Sequence, residues 1–152
     1  MTQILIIEDN GMKEARIRNA LLKIMPELKF QSCQTIKVAY PLLETTKWDL
    51  VLLDMSFQVN ADTGRETKKK PLAGRQILQF IRAKGLSCPV VVVTQHGSFF
   101  EGQTAIDSIE ALHFKFKQYF PENYRATVFV DLAADTWHEV LVTEVKKALN
   151  DG

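Results

Sequence analysis

Short unbroken runs of branched aliphatic residues recur along the chain, at Gln3 to Ile7, Trp48 to Leu53, Val90 to Val93 and Thr127 to Val130. Such runs lack the strict alternation of a half-exposed hairpin and suit strands of a parallel sheet covered on both faces. The segments between them carry apolar residues at helical spacing. Ala15, Leu22, Ile24 and Met25, with Met12 and Leu21 beside them, predict the apolar side of a first helix, which Pro26 ends. Lys29 to Cys33 reads as a further strand and Ile36 to Thr46 as a short helix containing Pro41. After Gly74, the residues Ile77, Leu78 and Ile81 predict another helix that Gly85 closes before Pro89 introduces a strand. Ala105, Ile106, Ile109, Leu112, Phe116 and Tyr119 form a fourth helical stripe, ended by Pro121. Thr136 followed by Glu139 makes a capping box for a last helix with Trp137, Val140, Leu141, Ala148 and Leu149 on its inner face.

Five alternating βα units predict one open, doubly wound parallel sheet with helices on both faces, and 152 residues suit a single such domain. In this architecture the ligand crevice lies at the carboxyl ends of the strands. A net charge of +1 leaves no basic face to displace counterions, so no nucleic-acid partner is expected. The apolar runs are too short to span a bilayer and no signal-peptide pattern opens the chain, so no membrane partner and a cytoplasmic location are expected. Cys33 and Cys88 have no CxxC spacing and read as small buried side chains.

The chemistry concentrates at the predicted strand ends. The first strand ends in Glu8-Asp9-Asn10, the third in Asp54 and the fourth in Thr94, which gathers three carboxylates and a hydroxyl around one crevice. Carboxylates so close repel, raise one another's pKa or recruit a cation, and Mg2+ is the natural hard-cation neutraliser, completed by water and phosphate oxygens.

These segments, ILIIEDN, VLLDM and PVVVVTQH, together with GRQILQFIR at Gly74 to Arg82, resemble the receiver domain of two-component response regulators. The resemblance covers most of the chain. It implies a flavodoxin-like five-stranded sheet in the order 2-1-3-4-5 and a Mg2+ site built from Glu8, Asp9, Asp54 and the backbone carbonyl of Ser56. Asp54 would be the phosphate acceptor and Thr94 the switch hydroxyl. A carboxylate nucleophile with a metal neutralising the transferred group is sound chemistry for making an aspartyl phosphate. The implied partners are a histidine kinase or phosphotransfer protein as donor and a downstream protein as reader, in a signalling module that is not an enzyme.

The sequence departs from the family at three places. Where the family carries Lys-Pro after the fifth strand this chain has Asp131-Leu132, an anion that would repel a phosphoryl group. Gln95 follows Thr94 where a small residue is usual, and the aromatic switch position falls on Val128, next to Phe129. Two insertions are expected, at about 57–71 and about 97–122. The first contains NADTGRETKKK, whose Arg65, Lys68, Lys69 or Lys70 would fold back to supply a substitute cation. The second carries Phe114 off its helical stripe, as a candidate partner or homodimer surface.

The departures keep an alternative open, a pseudo-receiver that acts as an interaction module without phosphorylation. A metal-dependent phosphatase is a further reading, although such enzymes usually carry DxD and this chain has Asp54-Met55-Ser56. An FMN carrier would meet repulsion from Glu8-Asp9 in its phosphate loop. No GxxxxGK[ST] or GxGxxG is present. His96, His113 and His138 are too scattered for a metal cluster, with His96 on the same loop as Thr94.

Overall fold

The computed structural model describes residues 2–55, 57–58, 69–70, 73–95, 99–101, 104–106 and 108–151. Five parallel strands carry the chain back and forth through the molecule: β1 (Gln3–Ile7), β2 (Lys29–Cys33), β3 (Leu50–Asp54), β4 (Val90–Thr94) and β5 (Tyr124–Phe129). They lie in the order β2-β1-β3-β4-β5. The crossovers are α1 (Gly11–Ile24), α2 (Ile36–Thr45), α3 (Ala73–Ala83) and α4 (Ile109–Tyr119), and α5 (Trp137–Asp151) ends the chain.

Alternate residues of the three central strands serve opposite faces. Leu5, Ile7, Val51, Leu53 and Val92 pack beneath α2, α3 and α4. Ile4, Ile6, Leu50, Leu52 and Val91 pack beneath α1 and α5 against Ile17, Leu21, Leu141 and Val145. Burying each such side chain contributes about 1.5–3 kcal/mol, which is why both faces of these strands are apolar. Register follows from that requirement, since a one-residue slip would exchange the faces. Ile7 pairs with Leu53, so the residues after them, Glu8 and Asp54, emerge side by side. Asp54 is itself level with Val93.

Local chemistry sets several boundaries. Asn10 caps α1 by accepting from the backbone N–H groups of Met12 and Lys13, and Ser108 caps α4 by accepting from Ala111. Gly85 adopts φ +65 after α3, a conformation that a side chain would disfavour. Cys33 and Cys88 are buried free thiols, pushed by burial up to about 12 and about 11.

Several expectations need correction, and among them Tyr119 of α4 and Val140 of α5, expected on apolar inner faces, are exposed. The inner face of α1 is Lys13, Ile17, Ala20 and Leu21, whereas Met12 and Ile24 are exposed. A lysine at the head of that stripe disguised its phase. Ala105 and Ile106 lie in the antiparallel pairing of Phe99–Glu101 with Thr104–Ile106, and α4 begins only after Ser108. β5 starts at Tyr124, three residues before the expected Thr127, and its first half alternates buried and half-buried positions where the expectation looked for a continuous apolar run. Of the stretch expected as the second insertion, Ile109–Tyr119 is the crossover helix α4 itself. Within the stretch expected as the first insertion, Phe57–Gln58 pairs antiparallel with Lys69–Lys70.

Candidate functional site

Glu8, Asp54 and Thr94 stand at the ends of β1, β3 and β4 and are all buried, with Asp9 half-buried beside them. Glu8, Asp9 and Asp54 each offer an oxygen within 4.8 Å of the others. The loop that holds the first two is rigid for a local reason: Glu8 Oε2 accepts from the Asn10 N–H at 3.1 Å while Asn10 caps the helix that follows.

That helix returns a cation to the crevice. Lys13 lies in the first turn of α1, and its Nζ is 2.5 Å from Glu8 Oε1 and 3.0 Å from Asp54 Oδ1. It also donates to the Val93 carbonyl at 3.1 Å, so one ammonium ties together the ends of three adjacent strands. The side chain is 1% exposed. A lysine near a helix N-terminus opposes the helix dipole. The carboxylates outweigh that cost here, since charge-assisted bonds in a water-poor site are the strong ones. Burial pushes the Glu8 carboxyl up to about 7, the charge of Asp54 adds to the rise, and Lys13 pulls against it.

Sequence reasoning missed Lys13. The signal was available in its phase, since Lys13, Ile17, Ala20 and Leu21 share one face, but a lysine in an amphipathic pattern is read as solvent-facing.

The other expected residues fall out as follows. Thr94 is fully buried, with its carbonyl accepting from the Val130 N–H at 2.8 Å. Gln95 is half-buried beside it. Val128 lies in the core and Phe129 is exposed, so the buried position carries no aromatic ring. Asp131 is exposed and caps its own turn by accepting from the Ala133 N–H at 3.0 Å. Among the described residues it is not one of the clustered carboxylates. Ser56, Arg65, Lys68 and His96 lie outside the described residues, and Lys69 and Lys70 are described by their strand pairing alone. His113 is bonded to the Tyr124 hydroxyl at 2.8 Å, and His138 packs edge-on against Trp137.

The backbone behind Asp54 is held by α3. The Gly74 N–H donates to the Met55 carbonyl at 3.0 Å. A Cβ at Gly74 would meet the Asp54 carbonyl oxygen at 2.6 Å and the Met55 Cα at 3.2 Å.

The hard oxygen donors of Glu8, Asp9 and Asp54 fit a small divalent cation such as Mg2+. Lys13 engages one oxygen each of Glu8 and Asp54 and thereby neutralises part of the same cluster.

A five-stranded parallel sheet in this strand order is the fold of response-regulator receiver domains. Over 150 residues the chain is 23% identical to the Detocs response regulatory protein DtcB of Enterobacter cloacae (strain JD6301), covering 94% of this chain and 97% of that protein. The phosphorylated cyanobacterial phytochrome response regulator RcpA superposes with a TM-score of 0.66 at 19% identity, over 99% of this chain and 96% of its own. A CheY-like response regulator receiver domain from Methanospirillum hungatei JF-1 gives 0.63 at 14% identity, over 99% and 95%. No protein-family model matches the chain. The similarity to receivers read from ILIIEDN and VLLDM is therefore borne out in both sequence and fold. Among the described residues, no helix is long and apolar enough to cross a membrane.

Proposed function

We propose that this chain is a receiver that accepts a phosphoryl group on Asp54. One observation carries the reading: the Asp54 carboxylate is buried at the end of β3, 3.0 Å from a lysine ammonium and clustered with Glu8 and Asp9. In the transfer, an Asp54 oxygen forms a bond to phosphorus while the bond from phosphorus to the donor breaks. The electron pair leaves with the donor. A phosphohistidine on a kinase or phosphotransfer protein meets that requirement, and so does acetyl phosphate, which leaves as acetate. Glu8, Asp9 and Asp54 would hold Mg2+, which when bound neutralises charge on the transferred group. Burial keeps Asp54 away from bulk water, and the short loop from Glu8 to Asn10 fixes the carboxylates beside it. The added charge then biases surface elements that a downstream protein reads.

The test is intact mass after incubation with Mg2+ and acetyl phosphate, for the wild type and Asp54→Ala. A gain of one phosphoryl group on the wild type alone is expected. Equal labelling of the two proteins, or none on the wild type, would sink the reading and leave a phosphorylation-independent interaction module.

A further inference from the structure

We infer that Lys13, carried on α1, is the cation that contacts the phosphoryl group on Asp54; the inference rests on the reading of Asp54 as the acceptor. An ammonium has three N–H donors, and those of Lys13 have three acceptors in range: Glu8 Oε1 at 2.5 Å, Asp54 Oδ1 at 3.0 Å and the Val93 carbonyl at 3.1 Å. Each acceptor ends a different strand of the rigid sheet. The side chain is 1% exposed and has no bulk water to retreat into. Its position is thus set before any ligand arrives, which is the condition under which a charge stabilises a transition state most effectively.

Phosphorylation leaves that cation in place and changes what it faces. Once Asp54 carries the phosphoryl group as an acyl phosphate its carboxylate charge is gone, and the negative charge sits on phosphoryl oxygens two bonds beyond the carboxyl oxygen. An ammonium bonded to the Asp54 carboxylate is already beside them, and Glu8 and Val93 still hold it. Asp131, two residues beyond β5, cannot do this work, because it is an exposed anion bonded within its own turn. The expected rescue from Arg65, Lys68, Lys69 or Lys70 is not needed to account for a cation here.

The experiment measures the rate of acetyl phosphate labelling with Mg2+ by intact mass, for wild type, Lys13→Met, and the double variant Lys13→Met with Asp131→Lys. Lys13→Met is expected to slow labelling about 100-fold, the cost of removing one preorganised charged donor. It should bind Mg2+ at least as tightly as wild type, since a competing cation is gone, and this binding reports an intact pocket. The double variant, which moves the ammonium to the end of β5, is expected to regain much of the lost rate. Labelling of Lys13→Met at the wild-type rate would overturn the inference. Should Lys13→Met fail to fold, wild-type protein with 15N-labelled lysine decides the matter. The buried 15Nζ signal should shift when beryllofluoride is added in the presence of Mg2+, and an unmoved signal on beryllofluoride-bound protein overturns the inference. Wild type that neither labels nor binds beryllofluoride overturns the acceptor reading itself, and this inference with it.

Discussion

Gly74 and Asp54 approach so closely that a Cβ on the glycine would lie 2.6 Å from the aspartate's carbonyl oxygen. The obstacle is backbone at the end of a central strand, which cannot swing aside as a flexible side chain would. Gly74→Ala is therefore expected to push α3 away from β3 and to disturb Asp54 directly. A loss of about 1–3 kcal/mol of stability should appear in urea unfolding, together with weaker Mg2+ binding. Unchanged values for both would show that the two elements part without cost.

Glu8 makes the metal-free protein sensitive to pH. Its carboxyl is raised from 4.5 to about 7, mainly by burial. For a group whose folded-state pKa is raised, the stabilising contribution is complete below the unfolded value and disappears as pH rises through the folded one. The wild type without metal should lose stability between about pH 5 and pH 8, and Glu8→Gln should flatten that slope. Thermal unfolding in chelator across this range measures it. Mg2+ binding should strengthen over the same window as the Glu8 proton leaves, so added Mg2+ offsets the loss.

Arg16 fastens α1 to the loop after β5. It donates to the carbonyls of Leu132 and Ala134, lies 3.4 Å from the Asp135 carboxylate, and sits over the Trp137 ring. Arg16→Ala removes these contacts without opening a core cavity. It should cost about 1 kcal/mol and speed amide hydrogen exchange in residues 131–136, leaving the β3 amides protected. Equal exchange in that loop before and after substitution would remove the clamp from the account.

Phe114 is 71% exposed on α4, where a large ring contributes nothing to the core. Phe114→Ala should leave stability within about 0.5 kcal/mol. It should also weaken self-association or partner binding, read by sedimentation and by pull-down with the donor kinase. Identical association before and after would free this face of that role.

The sheet was legible because its cause is local and repeated. Ile4 to Ile7, Leu50 to Leu53 and Val90 to Val93 are apolar at every position, and only a strand covered on both faces needs that. The carboxylates at their ends were legible for the same reason: once the strands are aligned by burial, Glu8 and Asp54 can only emerge together. β5 was half missed, because a strand nearer the sheet's edge alternates and resembles a loop at its start. Ala105 and Ile106 were misassigned, because short apolar spacings fit a helix and a hairpin equally well.

The amino-acid sequence alone thus determined the layered sheet, the acidic crevice and the departure at Asp131, each of which depends on neighbours in the chain or on burial of whole runs. Among the described residues, tertiary structure alone decided that Lys13 enters the crevice. Lys13 meets Asp54 and Val93 across 41 and 80 residues, and no periodicity separates a lysine that reaches water from one that reaches a carboxylate. The difference lies in how α1 packs over the strand ends, where the ammonium meets oxygens of Glu8 and Asp54 and the Val93 carbonyl in place of water.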